Sequence, residues 1–294
     1  MPVPFAGCFT TDPAAKLVFA GLADDSQSSF RRGAARGPAA IRLAYDGDCY
    51  NSTSESGCDL AGKVFDGGDL PSFPDWPATA RSFREFAAAQ WRAGKIPFFA
   101  GGDHAVTVPV AEALAALGRA IHIIQLDAHP DLYPIYEGRL ASHACVAARL
   151  LEMPHIASVT QYAIRTENAV QADCARRHSG RLRQFHARAI GASLDYPPHI
   201  PHGAPVYITL DLDAFDPAFA PGVAHPVPGG LTPRQVLNFL QFAPWSLVGM
   251  DVVELNPDAD IANRTALLAA RCLHESMAFA LLATAFLTFP RSAA

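Results

Sequence analysis

Short apolar runs alternate along the chain with longer amphipathic stretches. Six runs have the length and side chains of buried strands, at 16–21, 95–104, 120–129, 158–165, 204–213 and 246–254. Five stretches have the length and spacing of helices, at 77–95, 106–118, 141–153, 232–242 and 265–287. Gly94 and Gly118 stand where helix-ending glycines belong. The alternation predicts an α/β fold with a mainly parallel sheet covered on both faces, as one domain over residues 1–294.

Polar residues follow four of these apolar runs at their carboxyl ends. The junctions read "PFFAGGDH", "IIQLDAHPD", "YITLDLDAFD" and "GMDVVE". In α/β sheets the carboxyl edge is where ligands bind, so the four segments are expected to deliver His, Asp and Glu to one rim. Capping of a following helix explains any one Asp equally well. It does not explain why two of the runs carry Asp at alternate positions.

These acids and imidazoles have the spacing of a metal site. Alternate residues of an extended segment point roughly the same way, and Asp127, His129 and Asp131 have this spacing, as do Asp211 and Asp213. Adding His104 gives four carboxylates and two imidazoles. Four buried negative charges would raise one another's pKa values, and two divalent cations would balance them. A cation pair can also activate water as a nucleophile. The oxygen-rich set favours Mn²⁺, with Zn²⁺, Co²⁺, Fe²⁺ and Ni²⁺ open.

Composition narrows the class of partner and the compartment. The chain is 294 residues long with a net charge of −5, so no nucleic-acid surface is expected, and a small cationic substrate is compatible. The six Cys show no CxxC and are read as reduced thiols of a cytoplasmic protein. No secretory signal is evident at the N-terminus. The apolar stretch 277–289 is too short to span a bilayer and is expected to be a buried helix, so no membrane partner is expected.

The motifs together resemble the ureohydrolase family, which includes agmatinase, arginase, guanidinobutyrase and formiminoglutamase. They are "RRGAARGPAAIRLA", "FAGGDHAVT", "LDAHPD", "TLDLDAFDPAFAPGVAHPVPGGLT" and "GMDVVELNPDAD", in order over most of the chain. The resemblance implies a three-layer αβα fold with about eight strands, and homo-trimers or hexamers. It also implies two Mn²⁺ per chain, one held by His104, Asp127, Asp131 and Asp211, the other by Asp127, His129, Asp211 and Asp213.

The resemblance implies further roles at the site. Asp127 and Asp211 would bridge the cations, and Asp131 would also orient the attacking hydroxide. Glu254 would receive the guanidinium of the substrate, which pairs well with a carboxylate. His143 would move a proton to the departing amine, although it also suits an ordinary helix start. Urea and an amine would be the products.

The loop 132–144 bears on the choice of substrate. Tyr133 stands where arginases carry an Asn that reads an α-carboxylate, so agmatine is the first expectation. Glu137 is a candidate partner for a distal ammonium, whereas Arg139 would suit a carboxylate such as that of guanidinobutyrate. His225, where Thr is more common, is a candidate for the channel wall. Guanidinobutyrase, arginase and other guanidino-acid ureohydrolases therefore stay open.

Two readings from other classes also stay open. A metal-dependent deacetylase of related architecture would bind one catalytic zinc, which the two-metal ligand set and Glu254 disfavour. A catalytically inactive metal-binding homologue would keep the ligands without the reaction, and metal stoichiometry with a substrate panel separates these readings.

Overall fold

The computed structural model of the chain describes residues 4–48 and 50–288, and at 284–288 it describes the backbone alone. Among these residues, strands and α-helices alternate. The strands are β1 Phe9–Thr10, β2 Leu17–Leu22, β3 Val64–Asp69, β4 Ile96–Gly101, β5 Ile121–Leu126, β6 Ile156–Ile164, β7 Leu182–His186, β8 Pro205–Asp211 and β9 Ser246–Val253. The helices are α1 Gly37–Ala44, α2 Trp76–Arg92, α3 Thr107–Ala113, α4 Val146–Glu152, α5 Ala169–Arg177, α6 Pro233–Gln241 and α7 Arg264–Thr288.

The strands of the described residues form one nine-stranded sheet. Its order is β1-β3-β2-β4-β9-β8-β5-β6-β7, and every neighbouring pair is parallel. The predicted α/β class with a parallel sheet is therefore confirmed. All six predicted strands are present, within a few residues of their predicted bounds.

Helices cover both faces of the sheet. Alternate strand residues point to opposite sides and so pack into two different cores. Phe98 of β4 belongs to a core formed with α1, α6 and α7, whereas the adjacent Phe99 belongs to a second core formed with α2, α3 and α4. In β5, Ile124 and Ile123 divide in the same way. The arrangement has the three layers expected from the sequence.

Local signals fix the helix ends. The Asp75 side chain accepts a hydrogen bond from the Ala78 N–H at the start of α2, and Thr232 forms a capping box with Gln235 at the start of α6. Gly94 and Gly118 follow helical segments with φ of 70° and 63°, as predicted, because glycine has no Cβ to clash in this region.

The last helix, α7, is a core helix by its contacts. Its segment Arg264–Ala283 is long and apolar enough to cross a membrane, but 61% of its most apolar window is buried in the protein. Residue 289 of the predicted stretch 277–289 lies outside the described residues, as does Cys49. The five described cysteines are free thiols, as the sequence predicted.

Candidate metal centre

Four neighbouring strands end at the same edge of the sheet and carry the predicted site residues. In sheet order they are β4, β9, β8 and β5. His104 follows β4, Asp127 follows β5, Asp211 ends β8 and Glu254 follows β9. All four are buried, so the parallel sheet brings together groups that lie up to 150 positions apart in the chain.

The first group forms around His104. Its Nδ1 lies 3.0 Å from Asp131 Oδ2, 3.2 Å from Asp127 Oδ2 and 3.4 Å from Asp211 Oδ2. The other ring nitrogen, Nε2, lies 2.9 Å from Thr209 Oγ1, which fixes the ring so that Nδ1 faces the carboxylates.

The second group forms around His129. Its Nδ1 lies 2.8 Å from Asp213 Oδ2 and 3.7 Å from Asp127 Oδ1. The two oxygens of Asp127 therefore face different groups, and each group could hold an ion. Asp127 is thus shared by the two groups, and its bridging role stays a prediction. The contacts of Asp211 place it with His104, and its Oδ1 accepts a hydrogen bond from the Asp213 N–H at 2.9 Å. Its bridging role stays a prediction.

The site concentrates charge that the surrounding protein does not neutralise. Burial, together with Asp131 and Asp213, raises the pKa of Asp127 to about 7, and burial beside Asp213 raises the pKa of Asp211 well above its ordinary value. Burial disfavours the charged form of both histidines, but the carboxylates outweigh it. They raise the pKa of His129 to about 10 and that of His104 well above its usual range.

These residues fit a pair of divalent cations. The buried His104 Nδ1 has no hydrogen-bond partner among the described residues, although three carboxylates surround it. A buried polar atom of this kind is costly unless a ligand satisfies it. Imidazole nitrogens and carboxylate oxygens are donors that Mn²⁺ and related divalent metals accept.

Two site residues have backbone angles that are rare outside glycine. Asp131 has φ of 48° and Glu254 has φ of 67°. Such angles cost about 1–3 kcal/mol and are found where the surrounding structure imposes them, often at functional sites. They turn both carboxylates towards the same space.

Beside the metal-binding groups, His143 and Glu254 form a buried pair. His143 Nδ1 lies 2.9 Å from Glu254 Oε1, which also accepts a hydrogen bond from the His104 N–H at 2.9 Å. Burial opposes the charge of His143, but Glu254 outweighs it and raises the pKa of His143 to about 9. The second oxygen of Glu254, Oε2, is buried without a hydrogen-bond partner among the described residues.

Sequence reasoning did not identify Ser29 as a site residue. Its Oγ lies 2.9 Å from His143 Nε2, and its backbone N–H donates to the same nitrogen at 3.2 Å. The segment "DDSQSSFRRG" (24–33) contains no motif that marks Ser29. The only feature of the nearby sequence is that Ser28 and Ser29 precede the exposed Phe30, shortly before Gly33 at the start of the next helical segment.

The groups line one cavity of about 240 Å³. His104, Asp211 and Asp213 lie on its metal-binding side. Among the described residues, no Lys or Arg lines the cavity. Its wall also carries hydroxyl and amide groups, from Tyr133, Tyr136, Thr166, Asn168 and Gln171. The Oε1 of Gln171 is buried and has no hydrogen-bond partner in the described part of the chain.

The remaining candidates divide between the cavity and the surface. His225 lines the cavity, with its ring centroid 5.3 Å from that of His143 and 6.0 Å from that of His129. The structure does not bring Glu137 into the cavity wall. Its side chain is 58% exposed and lies 3.2 Å from Arg139. Its role towards a distal ammonium stays a prediction.

The fold and site define an α/β protein with a candidate two-ion metal centre, and comparison with known proteins identifies its family. Residues 15–278 match the family model described as "Arginase family". Arginase 2, chloroplastic/mitochondrial, from Arabidopsis thaliana is 34% identical over 270 residues, covering 84% of this chain and 76% of that protein. An agmatinase from Bacillus anthracis is 30% identical over 267 residues, covering 89% and 91%.

The solved structures agree. The proclavaminate amidino hydrolase from Streptomyces clavuligerus superimposes with a TM-score of 0.80 at 28% identity, over 95% of this chain and 98% of that one. The chain therefore belongs to the arginase family of ureohydrolases. The family relationship predicted from the motifs is confirmed, and it leaves the specific substrate open among arginase, agmatinase and related activities.

Proposed function

We propose that this protein is a two-metal ureohydrolase that cleaves a guanidino compound to urea and an amine. One observation carries the proposal: Glu254, whose buried Oε2 has no hydrogen-bond partner among the described residues, lines the same cavity as the two metal-binding groups. A planar cation with several N–H donors would satisfy that oxygen and place its carbon near the acid cluster.

The two groups would each hold one cation. His104, Asp127, Asp131 and Asp211 would hold one, while Asp127, His129 and Asp213 would hold the other, with Asp211 proposed as a second bridging ligand. Mn²⁺ is the first choice for this donor set. Cations bound there would lower the pKa of a water molecule and balance charge that develops on the substrate.

The chain's own residues supply orientation and proton transfer. Glu254 binds the guanidinium and sets the plane of its central carbon. Asp131, on the neighbouring wall, accepts a hydrogen bond from the attacking water and orients it. His143 protonates the leaving nitrogen as the C–N bond breaks, since its pKa of about 9 keeps a proton available near neutral pH.

Agmatine is the proposed substrate, with putrescine as the amine product. No Lys or Arg among the described residues lines the cavity to hold a carboxylate. Gln171 Oε1 is a buried acceptor that an ammonium would satisfy, and the hydroxyl oxygen of Tyr136 is a further acceptor in the wall. This acceptor lining, and not Glu137, supports recognition of a distal amine.

Arginine is the second candidate because the chain is 34% identical to an arginase of Arabidopsis thaliana. Its α-carboxylate would have to bind neutral donors of the wall, such as Asn168 and Tyr133. Asn168 Nδ2 donates to the Tyr133 hydroxyl oxygen, so one hydrogen of this amide is already engaged.

A urea-release assay tests the proposal. The protein is stripped of metal, reloaded with Mn²⁺ and supplied with agmatine, arginine, guanidinobutyrate, guanidinopropionate and guanidine, while bound metal is counted. We expect about two Mn²⁺ per chain and the highest kcat/KM with agmatine. Faster turnover of arginine or guanidinobutyrate would replace the substrate but keep the reaction. Full metal occupancy without urea from any compound would support the hypothesis of an inactive homologue. A single tightly bound ion would support the hypothesis of a deacetylase.

We also propose that the protein is a cytoplasmic homo-oligomer, a trimer or hexamer. Light scattering of the purified protein measures the mass directly, and a monomer at micromolar concentration would exclude this assembly.

A further inference from the structure

A hydrogen-bonded chain runs from the buried carboxylate of Glu254 through His143 to Ser29. Glu254 Oε1 lies 2.9 Å from His143 Nδ1, and His143 Nε2 lies 2.9 Å from Ser29 Oγ. Both imidazole nitrogens are therefore engaged. A proton that leaves Nε2 towards the cavity must either pass through the Ser29 hydroxyl or break its hydrogen bond.

We propose that the Ser29 hydroxyl relays the proton from His143 to the leaving nitrogen of the substrate. The proposal rests on the proposed function, because it requires a reaction that releases an amine. Ser29 and His143 both line the cavity, so the hydroxyl can face the substrate while it contacts the imidazole.

Ser29 suits both protonation states of His143. When Nε2 carries a proton, the hydroxyl oxygen accepts it in a hydrogen bond. When Nε2 has lost its proton, the Ser29 backbone N–H, at 3.2 Å, can donate to it, because a backbone N–H is only a donor. The hydroxyl oxygen thus receives the proton before transfer, and the backbone N–H, which points at Nε2, favours the imidazole that has released that proton.

The neighbours of Ser29 hold it in place. Asp103 Oδ2 accepts hydrogen bonds from the Gln27 N–H at 2.9 Å and from the Ser28 hydroxyl at 3.3 Å. On the other side, the Phe30 ring centroid lies 5.5 Å from that of His225, in the cavity wall. These contacts hold the backbone on both sides of Ser29 and so support its hydroxyl beside His143, which a relay requires because proton transfer depends on short, aligned hydrogen bonds.

The proton and electron counts balance in this step. The C–N bond breaks, and its electron pair stays with the departing nitrogen. That nitrogen takes the proton of the Ser29 hydroxyl, and Ser29 Oγ takes the proton of His143 Nε2. Ser29 ends unchanged, and His143 ends neutral with its Nδ1–H donating to Glu254. Solvent restores the proton of His143 between turnovers.

The first arm of the test uses leaving-group basicity. The best alkylguanidine of the panel is compared with its guanidinooxy isostere, in which oxygen replaces the methylene next to the guanidino nitrogen. Its leaving alkoxyamine is far less basic and needs less help from an acid. For Ser29→Ala we expect kcat on the alkylguanidine to fall about 10–100-fold and kcat on the isostere by less than about threefold. We expect Ser29→Thr to restore most of the lost rate.

The matched control is Ser26→Ala in the same segment. The Ser26 hydroxyl accepts a hydrogen bond from the Gln27 side chain and does not line the cavity, so its removal is expected to leave both rates unchanged. An equal loss on the two substrates in Ser29→Ala would assign Ser29 a purely structural role and overturn the relay, as would an unchanged rate on the alkylguanidine.

The second arm does not depend on turnover. In metal-free protein labelled with ¹⁵N-histidine, Ser29→Ala is expected to shift the Nε2 resonance of His143, which is assigned with His143→Gln. An unmoved resonance would overturn the contact itself. If the wild-type protein releases no urea from any guanidino compound, the proposed function fails and the relay with it. If it releases urea and Ser29→Ala is unaffected, the relay alone fails.

Discussion

Asp131 and Glu254 combine rare backbone angles with the chemistry proposed for them. Their φ values of 48° and 67° lie in the left-handed region, which Asn and Asp tolerate better than other non-glycine residues. The residue type at position 131 thus answers two demands, one of the backbone and one of the metal-binding group. Two variants can separate these demands.

Replacing Asp131 by Asn is expected to remove metal affinity without much loss of stability, since Asn accepts the same φ. Metal affinity should fall by more than the ~10–100-fold typical of a residue that only orients a ligand. Asp131→Ala should lose the same affinity and a further ~1 kcal/mol of unfolding free energy, because Ala is strained at this φ. Calorimetric metal titration and urea unfolding of the metal-free variants measure the two effects. Equal stabilities of the two variants would contradict the backbone argument.

Replacing Glu254 by Gln is expected to lower kcat/KM by about 100-fold or more, because losing one partner of a buried charge pair costs about 2–5 kcal/mol. Metal content should be unchanged, since Glu254 contacts His104 only through its backbone N–H. Glu137→Gln is the matched control, as this acid is exposed and outside the cavity wall. Comparable losses in both variants would restore Glu137 as a substrate contact.

The site residues differ in how visible they are in the sequence. Asp127 and Asp211 follow apolar runs directly, where a carboxylate is conspicuous because burial is costly there. Ser29 lies in a polar loop where a serine is ordinary, and only the fold brings it to His143. Contacts between a loop and a distant helix start leave no periodic signal along the chain.

At the level of elements, one side chain makes several hydrogen bonds to the segment after β8. Arg165, just after β6, donates to the backbone carbonyls of Asp213 at 2.6 Å, Phe215 at 3.2 Å and Val227 at 2.7 Å. Arg165 thereby connects a candidate metal ligand to the loop that carries His225.

Replacing Arg165 by Met is expected to lower the free energy of unfolding by about 2–4 kcal/mol, because several carbonyls lose a charged donor. Metal affinity should fall as well, since Asp213 is no longer held through its carbonyl. Arg176→Met is the control. Its partner is the exposed Asp173, so a change within about 0.5 kcal/mol is expected. Thermal unfolding and metal titration of both variants measure the changes in stability and metal affinity. Equal changes in the two variants would rule out a special role for Arg165.

The elements missed from the sequence share a physical reason. β3 reads "VFDGGD" and β7 reads "LRQFH", so neither is an apolar run, and both lie at or next to the sheet edge, where burial is partial. α1 is a short helix of eight residues, and in the nine-residue α5 the polar Gln, Asp and Arg dilute the apolar stripe. Central strands and long helices are buried on defined faces, which is why hydrophobic patterning predicted them.

On the scale of the whole molecule, the protonation of the site couples metal binding to stability. In the metal-free protein the pKa of Asp127 is raised to about 7 by burial, Asp131 and Asp213, and that of Asp103 to about 7 by burial and Glu254. The pKa of His129 is raised to about 10, as its carboxylate partners outweigh burial. Between pH 4 and 10 the folded state therefore binds more protons here than the unfolded chain does.

It follows that the melting temperature of metal-free protein should fall as pH rises from 5 to 9. With Mn²⁺ bound, the carboxylates are held ionised, and the fall should be smaller. The stabilisation by metal is thus expected to grow with pH. Differential scanning calorimetry of stripped and reloaded protein across this range measures it, and a metal-induced shift that shrinks with pH would contradict the proposed ligand set.

The strand order has a consequence for biosynthesis. β9 lies between β4 and β8 in the sheet, yet it is the last of the described strands to be synthesised. The centre of the sheet therefore cannot pair fully until residue 253 has been made. Before then β4 and β8 present unpaired edges, which are prone to join with other chains. Metal binding should therefore be among the last steps of folding. When the metal ion is scarce, a nearly complete chain would remain without its metal centre.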